Sequence, residues 1–374
     1  MCCGGGRTPE DAPRAPAVHP VVGGREACGA YAEAVTARQA LTAAGVAVLA
    51  VGLGGCSGSS RRSDRIGTVP AGHQITTTIL ASTSTVADPT APREPSAFVA
   101  VTWSGGPSGL VVADRASGRT IRTLVPAEPG GGVVEASVSG DGSTVYFAAG
   151  FGTCAAGIGR VQVAAGGPEI VLPRATGIDG SPSVRPDGRM LAFASSDCSA
   201  HLSLVIAPTS TFAPASALVG QSPASTQAWS RDGSQLLTIS NPPDGAPLLH
   251  VLSVTRSGTI GVDRIVASTF GCYYATALFS PDGSVVASRF CGAHNDILSL
   301  DPISSRIRSV LVAAQPGRAA LPQSLDTSGT YLLWNGGVAQ GELSPSTSAW
   351  QVLAGGSTTA LPHYATLVPV AWIG

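Results

Sequence analysis

Residues 96–374 predict an all-β fold of repeating four-stranded units, and three observations carry that reading. A Gly-terminated turn recurs with a period in the mid-forties, nearly continuous apolar runs flank each turn, and incomplete units stand at the two ends of the stretch. The composition agrees. Hydrophobic residues make up 44% and charged residues 12%, and 47 glycines and 28 prolines punctuate short apolar segments. Such punctuation suits a many-turned β protein.

The turns are Ser139-Gly-Asp-Gly142, Arg185-Pro-Asp-Gly188, Ser230-Arg-Asp-Gly233, Ser280-Pro-Asp-Gly283 and Asp326-Thr-Ser-Gly329, with glycines 46, 45, 50 and 46 residues apart. Pro pre-sets φ, Asp tolerates the bridge region, and Gly supplies the positive φ that returns the chain. The strands expected after each turn are 145–149, 191–195, 236–240, 285–290 and 331–335 (VYFAA, LAFAS, LLTIS, VVASRF, YLLWN). Continuous apolar character suits strands covered on both faces. Third strands follow (RVQVAA, HLSLVIAP, LLHVLSVT, DILSLDP), then more polar fourth strands such as PEIVLP and RSVLVAA.

Residues 97–103 with GLVVADRASGRTIRTLV supply second, third and fourth strands without a first, and 366–373 supply a first strand alone. Joined, they complete one unit. The expected architecture is therefore a six-bladed β-propeller of four-stranded antiparallel blades, its ring closed by strands from both termini. Seven blades or an irregular sandwich are the alternatives. The S-P-D-G-x-x-apolar-A pattern resembles the WD40-like propeller repeat of the TolB family over about 280 residues. That resemblance implies six blades and protein binding at the cell envelope. TolB-type proteins carry an α/β domain before the propeller, whereas a linker precedes it here, which sets a Tol–Pal role aside.

Residues 1–55 form a signal region. Its apolar run 41–53 (LTAAGVAVLAVGL) follows Arg38 and precedes Gly54-Gly55-Cys56. Thirteen residues are too few for a helix to cross a ~30 Å hydrocarbon core, and they fit the apolar segment of a secretory signal. Leu53-Gly54-Gly55-Cys56 resembles the lipobox of bacterial lipoproteins, which implies that Cys56 becomes the lipidated first residue of the mature chain. Plain secretion or an uncleaved anchor are the alternatives. Residues 1–34 are long and polar for a signal lead, and a start near Val35 would remove Cys2, Cys3 and Cys28. Residues 56–95, rich in Ser, Thr, Pro and Ala, read as a solvated tether. The localisation expected is extracytoplasmic and lipid-anchored, or else secreted.

Cys154, Cys198, Cys272 and Cys291 lie inside the propeller, and an even number in an exported domain favours disulfides. The blade scheme places them on one face, opposite the Asp-Gly turns, and pairs Cys154 with Cys198 and Cys272 with Cys291. Four cysteines allow three pairings, so the alternatives stay open. Cys198-Ser-Ala-His201 and Cys291-Gly-Ala-His294 are formally a Cys2His2 ligand set. A blade between them separates the two units, and no metal or other cofactor is expected. On the same face the scheme places Asp197, His201, Tyr273, Tyr274, Arg289, His294, Asn295 and Asp296. Tyrosine, arginine and carboxylates make a candidate binding rim; the alternative is that the tyrosines pack between blades.

Net charge is −1 with a pI of about 6.6, and all 22 basic residues are arginine. No basic patch points to nucleic acid. Gly130–Gly132 and Gly166–Gly167 precede no helix, and no P-loop, nucleophile elbow or H-E-x-x-H motif is present. Asp141, Asp187, Asp232 and Asp282 are committed to turns. The function expected is a monomeric, non-catalytic scaffold for a protein or cell-envelope ligand, meeting the membrane only through its lipid. The alternative is a small-substrate enzyme with its site in the central channel.

Overall fold

The structure is a computed structural model. It describes residues 92–373 apart from 103–107, 129–130, 153, 174–176, 198–202, 219–222, 243–244, 293, 314–318, 337–348, 363 and 365. The described chain is all-β. Its strands are β1 (Ala97–Thr102), β2 (Leu110–Asp114), β3 (Thr120–Val125), β4 (Gly132–Val138), β5 (Thr144–Gly152), β6 (Ala155–Gln162), β7 (Gly166–Leu172) and β8 (Gly177–Val184). Next come β9 (Met190–Ser196), β10 (Ser203–Pro208), β11 (Ser216–Leu218), β12 (Pro223–Trp229), β13 (Gln235–Ser240), β14 (Leu248–Val254), β15 (Ile260–Val266) and β16 (Cys272–Phe279). The last are β17 (Val285–Cys291), β18 (His294–Leu300), β19 (Ile307–Val312), β20 (Leu321–Leu325), β21 (Leu332–Asn335), β22 (Trp350–Ala354), β23 (Ser357–Ala360) and β24 (Leu367–Ile373).

These strands pair antiparallel in the order expected of propeller blades. Four sheets have four strands each, in the orders β24-β1-β2-β3, β12-β13-β14-β15, β16-β17-β18-β19 and β20-β21-β22-β23. The remaining eight strands, β4 to β11, are hydrogen-bonded into one sheet. There a short parallel contact, Ala155↔Gly177 and Ala156↔Ile178, joins β4–β7 to β8–β11. The final strand β24 lies against β1 from Ala97↔Ile373 to Thr102↔Leu367.

Burial follows strand position. The second strands are enclosed on both faces: Met190 to Ala194 of β9 and Val285 to Ala287 of β17 are all buried. The fourth strands β3, β15 and β19 are largely exposed. Apolar clusters sit between neighbouring sheets. Leu237, Leu249 and Val251 pack on Tyr274, Phe279 and Val285; Leu333 and Trp350 pack on Phe98 and Trp372; Val99 and Leu110 pack on Val145 and Phe147. The first strands also touch in succession: β24 meets β4, β4 meets β8, β8 meets β12, β12 meets β16, β16 meets β20, and β20 meets β24.

The Asp-Gly turns have the chemistry that their sequence requires. Gly142, Gly188, Gly233, Gly283 and Gly329 all have φ between 68° and 79°. Asp141, Asp187, Asp232 and Asp282 each accept the amide of the residue two positions on, at 3.0–3.1 Å. The leading residue closes the turn from the other side. Ser139 and Ser230 donate to their Asp at 2.6 Å, and Arg185 grips Asp187 with Nε at 2.9 Å and Nη2 at 2.8 Å. Arg185 also reaches the Arg256 carbonyl at 3.2 Å in a turn of the next sheet.

Two expectations about strand limits need correction. The third strand expected at 160–165 is β6, which starts at Ala155 because Ala155–Gly159 already pairs with β5. The expected 331–335 strand begins at Leu332, since the Tyr331 amide is drawn into the turn by Asp326 at 2.7 Å.

Two predictions follow from these turns. Gly233→Ala places a Cβ 2.6 Å from Arg185 Cδ at φ +68° and should cost about 1–2 kcal/mol, read as a lower urea midpoint at unchanged slope. The carboxyls of Asp141 and Asp232 are held below the usual 3.8 chiefly by the hydroxyls of Ser139 and Ser230, that of Asp187 by Arg185, and that of Asp282 by Ser284. A depressed folded pKa contributes stability that is full above the unfolded value and lost as pH falls through the folded one. Stability should therefore decline below about pH 4, and Asp232→Asn should flatten that acid limb in a series of denaturation curves.

Candidate functional site

Strands β16, β17 and β18 bring most of the sequence-selected residues to one edge of one sheet. Cys272 opens β16 and Cys291 closes β17; they stand directly opposite in the ladder and form a disulfide with Cα atoms 4.3 Å apart. The pairing agrees with that read from the sequence, although both cysteines are strand ends and not loop residues. Cys154 is also disulfide-bonded; Cys198, its expected partner, lies outside the described residues, as does His201. With its sulfur in a disulfide, Cys291 has no thiolate to offer a metal alongside His294. Among the described residues no three His, Cys, Asp or Glu side chains gather in a metal-binding group.

Below the disulfide the ladder continues as Tyr273↔Phe290↔Asn295 and Tyr274↔Arg289↔Asp296. Successive residues point to opposite faces of the sheet, so these two rows part company. Tyr273 stacks on Phe290 at 5.3 Å with planes 7° apart, and burial raises its phenol pKa. Phe290 packs with Ala319 and Leu321 of the next sheet.

On the other face Tyr274 is 2% exposed and belongs to the core cluster with Leu237 and Phe279. Burial raises its pKa against the opposing charge of Arg289. Arg289 donates to Asp296 at 2.9 Å, both side chains being mostly enclosed.

Several proposed rim residues are therefore structural. Tyr274 is filled in by the preceding sheet. Asn295 is 2% exposed and its amide oxygen accepts from the Ala320 backbone N–H. Arg289 and Asp296 neutralise each other. His294, the first residue of β18, and Asp197, just past β9, are exposed.

Two features escaped the sequence reading. The first is Phe270, in the connection from β15 to β16, at 103% of its reference exposure. Its turn is held on both sides: Gly271 has φ +75°, the Cys272 amide donates to Thr269 O at 2.9 Å, and Ser268 Oγ donates to Cys272 O at 2.6 Å. Thr-Phe-Gly-Cys, an aromatic before a turn glycine, was the available signal. The second is a buried relay across three strands. Ser240 Oγ meets His250 Nε2 at 2.7 Å, and His250 Nδ1 meets Asp263 Oδ1 at 2.9 Å. Ser240 and His250 are buried, while Asp263 is partly open to solvent. The order of atoms is that of a serine-hydrolase relay, and the same bonds brace β13, β14 and β15.

The inner strands carry a second polar cluster. Glu135 on β4 accepts from the amide of Ser181 on β8, Ser181 has φ +48°, and Asp179 beside it is buried. No helix of the described residues is long and apolar enough to cross a membrane.

No family model and no curated protein matches this chain. Solved structures do. TolB from Acinetobacter baumannii shares 15% identity at a TM-score of 0.58, over 74% of this chain and 66% of that one. A TolB-assigned protein of Agrobacterium tumefaciens shares 14% at 0.52, over 72% and 89%. A chain of the nidogen/laminin complex shares 14% at 0.50, over 74% and 97%. This chain spans 66% of the Acinetobacter protein and under half of the peptidase chains that it also matches. At these identities the likeness is one of fold: the chain has a TolB-like β-propeller fold.

The relay is the clearest target for a stability test. His250→Ala empties a buried site and leaves the buried Ser240 hydroxyl without its partner; it should cost about 2–4 kcal/mol in urea denaturation, more than Asp263→Asn, which leaves the Ser240–His250 bond in place.

Proposed function

We propose that this chain is an exported six-bladed β-propeller, tethered through a lipid on Cys56, that binds a ligand of the cell envelope without transforming it. The succession of first-strand contacts and the pairing of β24 with β1 support six blades closed into a ring. The Cys272–Cys291 disulfide supports an oxidising, extracytoplasmic setting. TolB structures are among the fold's neighbours, which supports a binding role. Residues 56–95 would serve as the tether, and one monomer would suffice.

The observation that carries the binding reading is Phe270. A large aromatic side chain wholly in water is unfavourable by about 1.5–3 kcal/mol relative to burial. Holding it on a turn fixed by a glycine, two hydrogen bonds and a disulfide reduces the ordering cost of docking. Tyr273, His294 and Asp197 would border the contact.

Capture from the protein's own envelope extract tests this. The propeller should retain a component that Phe270→Ala releases by about tenfold or more, with the thermal midpoint unchanged. Equal retention by both proteins would remove Phe270 from the site, and retention of nothing would sink the binding reading.

One observation favours catalysis as a second reading: the Ser240–His250–Asp263 relay. A fluorophosphonate probe that labels the native protein and spares Ser240→Ala would support it. An unlabelled native protein would leave the relay as a brace of its sheet.

A further inference from the structure

The turn that carries Phe270 closes back onto a single residue. The Cys272 amide donates to Thr269 O at 2.9 Å, and Cys272 O accepts from Ser268 Oγ at 2.6 Å. Both bonds that shape the turn thus end on the main chain of Cys272, the first residue of β16. Residues 267–271 are exposed, and a hydrogen bond in water contributes little to order. The covalent tie at this strand end is the disulfide to Cys291. Two residues on, Tyr274 is buried in the core cluster with Leu237 and Phe279, so loosening that begins at Cys272 is arrested there.

The disulfide has the surroundings of a reducible one. Cys272 and Cys291 are both partly exposed, and the exposed His294 stands opposite Cys291 in the next ladder. Directly opposed residues share a face of the sheet. Two sulfurs and an imidazole therefore form one row at its rim, Cys272, Cys291, His294. Exposed disulfides belong to the labile class, and an imidazole beside a sulfur can carry the proton that thiol exchange requires. The sheet does not rely on the bond. Its ladder runs on through Tyr273↔Phe290 and Tyr274↔Arg289, and Phe290 packs on Leu321 of the next sheet.

We infer that the Cys272–Cys291 disulfide is a redox switch that orders the Phe270 turn when oxidised and frees it when reduced. The reductant is an external dithiol. One of its sulfurs attacks Cys272 Sγ, and His294 takes the proton of the attacking thiol. The S–S bond breaks, its electron pair passes to Cys291 Sγ, and His294 hands the proton on to Cys291. The second thiol then attacks the mixed disulfide and its proton goes to the departing Cys272. The reductant leaves as a disulfide, and the protein has gained two electrons and two protons. The bearing of this switch on docking rests on the reading of Phe270 as the binding residue: reduction restores the ordering cost that the fixed turn removes.

Chymotrypsin, which cleaves after Phe270, reads the turn without any ligand. The full chain is equilibrated in buffers of graded reduced-to-oxidised dithiothreitol without denaturant, and its thiols are mapped by alkylation and mass spectrometry. Cys272 and Cys291 should appear together as thiols while the circular dichroism stays that of the native sheet. Cleavage between Phe270 and Gly271 should then rise by about tenfold or more, since proteolysis tracks the open population, and reoxidation should reverse it. Cys272→Ser with Cys291→Ser should cleave at the fast rate in every buffer, which separates this disulfide from that of Cys154. If that variant does not fold, the reduced native protein supplies the same rate. His294→Ala should slow the opening and flatten its pH profile while leaving both cleavage rates unchanged; an unaltered opening rate would remove His294 from the switch. Thiols that appear only as the sheet unfolds would overturn the inference, as would equal cleavage at Phe270 in oxidised and reduced protein. Capture from envelope extract by both redox forms separates the two readings. Retention lost on reduction supports the gate and equal retention rejects it. Retention by neither form, with cleavage still raised by reduction, sinks the binding reading and keeps the switch.

Discussion

The antiparallel pairing of Leu367–Ile373 with Ala97–Thr102 is the contact on which the other sheets depend. Without it the first described sheet has three strands, and the sheets at the two ends of the described chain present bare apolar faces. The junction is reinforced from three directions. Phe98 lies 5.2 Å from the Tyr364 ring and 6.5 Å from that of Trp372. The Trp372 indole donates to Tyr331 O at 3.2 Å, and Tyr364 Oη donates to Arg115 O at 2.5 Å. The Phe98 ring contacts and the Tyr364–Arg115 bond join residues from opposite ends of the domain. Such non-local pairing is costly in chain entropy and is expected to form late in folding.

Given that pairing, the two ends of the sheets carry different loads. At one end, five Asp-Gly or Ser-Gly turns use Asp carboxylates to hold amides, and Arg185 ties one turn to the neighbouring sheet. The carboxyls of Asp141, Asp187, Asp232 and Asp282 are held below their ordinary pKa by the hydroxyls and guanidinium they bind, so they remain anionic and occupied at neutral pH. At the other end lie the Cys272–Cys291 disulfide, the Tyr273–Phe290 stack and the turn that carries Phe270. Rigid turns at the first end leave the second free to vary in length and chemistry, as loops on a fixed scaffold do.

The legibility of the sequence followed this division. The turns could be read because Ser-Pro-Asp-Gly is local: the motif and the one residue after it contain both the carboxylate and the amide it caps, and the period repeats five times. The pairing of β24 with β1 could be read because each end held an incomplete set of strands. The fate of Tyr274 could not be read, since adjacent tyrosines in a strand look alike until the neighbouring sheet covers one and leaves the other half open. Asn295 was hidden for the same reason: its partner, the Ala320 amide, lies 25 residues away in another sheet. The Ser240–His250–Asp263 relay runs diagonally across three strands, and the β14–β15 register shifts beside it, between Leu252 and Val254. No fixed spacing in the chain announces it.

The disulfide at this edge acts on its surroundings more than on the sheet. Cys272 and Cys291 are already opposed by the β16–β17 ladder, which continues through Tyr273↔Phe290 and Tyr274↔Arg289 without help from sulfur. The loop it closes is short, with a separation of 19 residues, so its effect on the unfolded chain is modest, about 3 kcal/mol in the entropic model. Its larger consequence is local. Strand ends fray first, and here the end of β16 leads directly into the exposed segment 267–271, where every residue faces water. Cross-linking that end gives Phe270 a fixed base that neither apolar packing nor the outer strand β15 provides. The covalent bond thus serves the position of an exposed side chain, which is the arrangement expected of a binding edge and not of a core.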